Sequence, residues 1–78
     1  MAAAEVFPVR LKEARHKRGW SQLKLSVESG VCRGAISHYE RAYRQPDLDQ
    51  LARLADVLNV STDYLLGRSE VPQCRTSL

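Results

Sequence analysis

Apolar residues recur along this chain at helical spacing rather than in strand alternation. The clearest run is "DLDQLARLADVLN". Leu48, Leu51, Leu54, Ala55 and Leu58 stand three or four apart, which predicts one buried helix face. Asp47 and Gln50 at its start have the spacing of a capping box. The following "TDYLL" has Ser61 as its cap and Gly67 as its close, so a last short helix is expected.

Three shorter segments lie upstream. "PVRLKEARHKRG" reads as a first helix, with Pro8 in its first turn and Gly19 as its stop. Lys17 and Arg18 fall in its last turn, where the helix dipole favours cations. "SQLKLSVESG" reads as a second helix between Ser21 and Gly30. Its expected inward stripe is Leu23, Ser26 and Val27, with Leu25 nearby. "GVCRGAISHYER" carries a third helix over about 33–41. Cys32, Ala35, Ile36 and Tyr39 fall on one side of it. Arg33, Gly34, Ser37, His38 and Arg41 fall on the other, a small, polar and basic face. Cys32 is a weaker cap than serine or threonine. "YRQP" then breaks the chain. Trp20, Tyr39, Leu51 and Leu65 are expected in the core. The sum is an all-α, five-helix domain over 7–67, with a flexible leader at 1–6 and a loose tail at 68–78.

Length allows one small domain and one modest core, since the chain has 78 residues. Cys32 and Cys74 form no CxxC pair, and His16 and His38 complete no metal-ligand spacing, so neither metal nor cofactor is expected. Cys32 reads as a small, partly buried, inert thiol; the alternative, at a helix N-terminus beside Arg33, is a thiol of lowered pKa acting as a redox switch. No paired carboxylates or Ser–His arrangement suggests an enzyme. With no signal-peptide pattern and no long apolar run, a cytoplasmic protein is expected, without a membrane partner.

Charge changes the picture more than composition does. The net charge is only +3. Yet residues 10–44 hold nine basic side chains against three acidic ones, while 45–67 hold Arg53 against four aspartates. A positive field confined to the first half suits a polyanionic partner. The third helix lies in that half. Two short helices joined at Gly30 have helix-turn-helix geometry, which projects the second helix outward. A helix of this kind fits the major groove, where base edges show distinct donors and acceptors.

The ordered pieces "SQ", Gly30, Ile36-Ser37, Glu40, "QPDLDQL" and "LNVSTDYLLG" resemble a Cro/C1-type helix-turn-helix domain. That family includes phage repressors, Cro proteins and many small bacterial regulators. The likeness runs from Arg10 to Gly67 and implies a lambda-repressor-like fold. It implies that Arg33, Gly34 and His38, with Ser37 beside them, read bases. It also implies that Ser21 and Gln22 meet a phosphate at the start of the second helix, and that Arg41, Tyr43 and Arg44 follow the DNA backbone. Arg15 and Glu40 match a structural ion pair found in some members. Three positions depart from the pattern: Cys32 stands where Ser or Thr is usual, Gly34 offers no side chain to a base, and Ala42 replaces the glycine that usually ends the third helix.

The function expected is sequence-specific binding of double-stranded DNA by a transcriptional regulator, with repression as its expected sign. The alternative on the same fold is an antitoxin or protein-interaction adaptor. Tyr64, Leu65 and Leu66 leave more apolar surface than one domain needs, and so suggest a homodimer on a pseudo-palindromic operator.

Overall fold

The computed structural model describes residues 3–68. They form α1 (Ala3–Lys17), α2 (Gln22–Ser29), α3 (Arg33–Glu40), α4 (Leu48–Leu58) and α5 (Thr62–Leu65), and no strand occurs among them. Three of these helices begin where the caps predict. Ser21 Oγ accepts from the Lys24 amide at 3.0 Å, Asp47 Oδ1 from the Gln50 amide at 2.8 Å, and Ser61 Oγ from the Tyr64 amide at 3.0 Å. Each bond satisfies one amide that the helix itself leaves free. Asp47 and Gln50 form only half of a capping box, because the Gln50 side chain accepts from the Tyr39 hydroxyl instead. α3 begins at Cys32 with no side-chain cap bond.

α1 starts at Ala3, so residues 3–6 of the expected leader are its first turn and Pro8 lies inside it. Pro8 is therefore the sixth residue, past the first turn expected for it, and its missing N–H removes the bond to the residue 4 carbonyl. The turn is packed as well as helical. Phe7 is buried, and a Cβ built on Gly67 would come within 2.7 Å of Val6 Cγ1. The end of the domain therefore closes onto the start of α1. Residues 69–78 of the expected tail lie outside the described residues.

The core runs from Phe7, Leu11 and Ala14 on α1 through Leu25, Ala35, Ile36 and Tyr39 to Leu54, Leu58 and Leu65. The Phe7 and Tyr39 rings meet edge-on at 6.1 Å. Trp20 and Leu51 pack against this core but are only partly buried. α2 turns the other way from its expected stripe. Leu25 and Ser29 face inward, whereas Leu23 and Val27 are 56% and 69% exposed. Two stripes at helical spacing fit so short a helix, and the inward one is completed by a serine. Ser29 Oγ donates to the Leu25 carbonyl and accepts from the Val31 amide, so its burial leaves no polar atom unpaired. Leu48 is 84% exposed, because the first turn of α4 projects past the core. Cys32 is also exposed rather than partly buried. It precedes α3, so the helical face that carries Ala35 and Ile36 inward does not include it.

Tyr64 and Leu65 belong to this same core, at 7% and 0% exposure. The surplus apolar surface expected at Tyr64, Leu65 and Leu66 is therefore absent at two of the three. Only Leu66 keeps a half-exposed side chain.

Candidate nucleic-acid interface

The α2–α3 turn positions everything that follows. Gly30 takes φ +76°, the left-handed conformation that ends α2, and its amide donates to the Ser26 carbonyl at 2.9 Å. Ser26 Oγ donates to the Val31 carbonyl at 2.6 Å and so fastens the outgoing chain. Val31 is buried, and α3 starts two residues later.

α3 is held down by one face and free on the other. Ala35, Ile36 and Tyr39 are buried, Arg33 and Gly34 are exposed, and Ser37 and His38 are half-buried at the edge. A Cβ on Gly34 would meet only Cys32 Sγ, at the ordinary distance of 3.8 Å. Nothing inside the protein requires that glycine. The Ala35 and Gly34 amides, helped by the Arg44 charge, hold the exposed Cys32 thiol below its ordinary pKa. The start of α3 thus favours negative charge, as helix N-termini do.

The end of α3 continues the same surface. Ala42 adopts φ +64°, so it makes the left-handed turn that a glycine would make, with a Cβ to accommodate. The Tyr43 amide then donates to the His38 carbonyl at 2.8 Å. The Tyr43 ring lies 5.8 Å from the His38 ring, and the Arg41 guanidinium lies over Tyr43 at 5.8 Å. His38 Nδ1 is sealed from solvent without a hydrogen-bond partner, so the ring can meet a ligand only through Nε2. Arg41, Tyr43 and Arg44 are exposed. The structure therefore brings Arg33, Gly34, Ser37, His38, Arg41 and Tyr43 onto one continuous surface.

Gln22 is the expected contact whose position differs most from the sequence reading. Its side-chain amide donates to Glu40 Oε1 at 3.1 Å. Arg15 binds the same carboxylate through Nε–Oε2 at 2.7 Å and Nη2–Oε1 at 3.0 Å, and its Nη1 donates to the Trp20 carbonyl at 2.8 Å. One carboxylate thus joins α1, the start of α2 and the end of α3. One amide hydrogen of Gln22 remains for a ligand. Sequence reasoning also missed Lys24, which stands in the first turn of α2 beside the Ser21 cap. Its ammonium pairs with Glu28 at 3.0 Å and lies 5.9 Å from the centre of the Trp20 ring. Only its distance of three residues from Ser21 could have signalled that placement.

Among the described residues, no cluster of His, Cys, Asp or Glu could hold a metal ion, and no helix is long and apolar enough to cross a membrane.

The helix-turn-helix family profile matches residues 11–65. The chain is 50% identical over 62 residues to the HTH-type transcriptional regulator ImmR of Bacillus subtilis strain 168, a match covering 80% of this chain and 49% of ImmR. It is 39% identical over 64 residues to the regulator AnsR of the same organism, covering 82% of this chain and 55% of AnsR. It spans about half the length of these regulators. Its fold matches the solution structure of the DNA-binding domain of the P22 C2 repressor, residues 1–76. The TM-score is 0.77 at 31% identity, covering 90% of this chain and 91% of that one.

Proposed function

This chain belongs to the Cro/C1-type helix-turn-helix family, and on that footing we propose that it binds double-stranded DNA sequence-specifically as a transcriptional repressor. It acts by binding, without catalysis. The observation that carries the reading is α3 itself: a helix fixed to the core by Ala35, Ile36 and Tyr39 that offers Arg33, Gly34, Ser37 and His38 outward.

Each group has a physical role in this reading. Arg33, at the exposed start of α3, carries a planar fork of donors that matches guanine O6 and N7. Gly34 lets the α3 backbone come close to the groove, which accounts for a glycine that the protein's own packing does not need. His38 presents Nε2, and Ser37 lies beside it. Phosphates are met on both flanks. On one side lie the α2 amides with Ser21 and the free hydrogen of Gln22; on the other lie Arg41, Tyr43 and Arg44. The relay through Arg15, Glu40 and Gln22 keeps the flanks in register, because the same carboxylate holds both helices. Two copies side by side would place two α3 helices about 34 Å apart on a pseudo-palindromic operator.

The test is a selection from random duplex DNA, read at several salt concentrations. An enriched inverted repeat whose affinity falls steeply with salt supports the reading. Binding with no enriched sequence overturns it.

A further inference from the structure

A second concave surface lies away from α3, between the last turn of α1, the end of α4 and the side of α5. It is a cleft of about 210 Å³ whose walls are Ala14, Leu58, Val60 and Tyr64. Lys17 and Arg18 stand at its edge, and no carboxylate lines it. The walls are rigid. Leu58 and Tyr64 belong to the core, and Tyr64 is backed by Arg10, whose guanidinium stacks on the ring at 4.2 Å and donates to the Tyr64 carbonyl at 3.1 Å. The exposed Arg18 side chain reaches along this edge, its guanidinium 3.5 Å from the Leu58 carbonyl and 4.7 Å from the centre of the Trp20 ring. Lys17 is exposed and has no ion pair among the described residues.

We propose that this cleft docks an acidic segment of a partner protein, one aromatic or branched apolar side chain filling it while flanking carboxylates meet Lys17 and Arg18. Size supports a single anchor. A cavity of ~150 Å³ with apolar walls holds benzene, whereas pockets for whole small molecules run to about 300–1,000 Å³. Charge supports the acidic flanks, because Lys17 and Arg18 stand at the edge and no carboxylate lines the cleft. Position separates the site from the proposed DNA surface: none of Ser21, Gln22, α3 or 41–44 lines it, and its nearest approach to that surface is Arg18 over the Trp20 ring. The domain can therefore hold DNA and a protein partner together.

The probe is the peptide acetyl-Asp-Glu-Phe-Glu-Asp-amide, titrated into the ¹⁵N-labelled chain. Two control peptides replace Phe by Ala, or all four acids by their amides. The proposal expects saturable shifts at the amides of Ala14, Lys17, Asn59 and Val60, with both controls binding about tenfold more weakly or worse. Lys17→Gln should weaken the acidic peptide roughly threefold while changing the melting temperature and the DNA affinity by less than that. Shifts centred on Arg33, Arg41 and Arg44 would mean that the peptide only imitates DNA, and would overturn the proposal. Equal binding of the Ala peptide, or no shift at any peptide concentration, would overturn it as well.

Discussion

Arg15 and Glu40 are 25 residues apart in sequence and joined by two parallel hydrogen bonds of 2.7 and 3.0 Å. Their side chains are only 9% and 4% exposed. A fork meeting a carboxylate at two points is the strong form of this contact. Its removal is asymmetric: Glu40→Ala leaves a buried guanidinium unpaired and should cost about 3–5 kcal/mol. That is a large share of the ~5–15 kcal/mol that holds a small domain together. Thermal unfolding checks it. A melting temperature within a degree or two of wild type would show that the pair does not brace the fold.

Ala42 sits at φ +64°. A residue with a Cβ pays about 1–2 kcal/mol to stay there, and glycine does not. Part of the gain is returned, since glycine loses more freedom on folding. Ala42→Gly should therefore stabilise by about 1 kcal/mol, raising the melting temperature by roughly 4–8 °C in a domain of this size. Ala42→Val should lower it.

Gly34 allows stability and function to be separated. Gly34→Ala adds a helix-favouring residue with room for its Cβ, and should stabilise by up to about 1 kcal/mol. If α3 approaches DNA closely at this point, the same variant should bind its selected site about tenfold more weakly, as one lost close contact of ~1.4 kcal/mol would give. Unchanged affinity would show that the backbone keeps its distance there.

Burial pushes the Tyr39 phenol above its ordinary pKa, against the pull of the nearby Arg44 charge. The folded state then favours the neutral phenol. Its contribution to stability is complete below the unfolded value, near pH 10, and is lost as pH rises through the folded value. Melting curves taken into the alkaline range should show that loss in wild type. Tyr39→Phe should lose about 1 kcal/mol at neutral pH, because Gln50 loses its partner, and should fall less steeply above about pH 10. Parallel curves for the two proteins would contradict this.

Much of the fold was readable from caps and periodicity, because these signals are local. Ser21, Asp47 and Ser61 cap where they were expected to, and the later leucines of α4 are buried. The sequence is ambiguous where a local pattern fits two arrangements. In α2, both Leu23–Val27 and Leu25–Ser29 have helical spacing, and the buried pair is the one containing a serine that bonds its own backbone. Leu48 continues the α4 stripe yet stands beyond the core, since periodicity says nothing about where the core ends. Tyr64 and Leu65 are buried in the core, and Tyr64 is held by Arg10 of α1, 54 residues away, a contact that local spacing does not signal. At the interface, the composition of the α3 face was legible, but the bond from Gln22 to Glu40 was not. It joins residues 18 apart, and glutamine spacing carries no signal for such a partner.

The most direct test concerns Arg33. Its Ala variant should be measured against the selected operator and against every single-base variant of one half-site, at one fixed salt concentration. If α3 reads the major groove, Arg33→Ala loses about 1–3 kcal/mol on the intact site, and preference disappears at one base pair while the others keep theirs. A uniform loss across all variants would reduce Arg33 to a phosphate contact. No loss at all would contradict the placement of α3 in the groove.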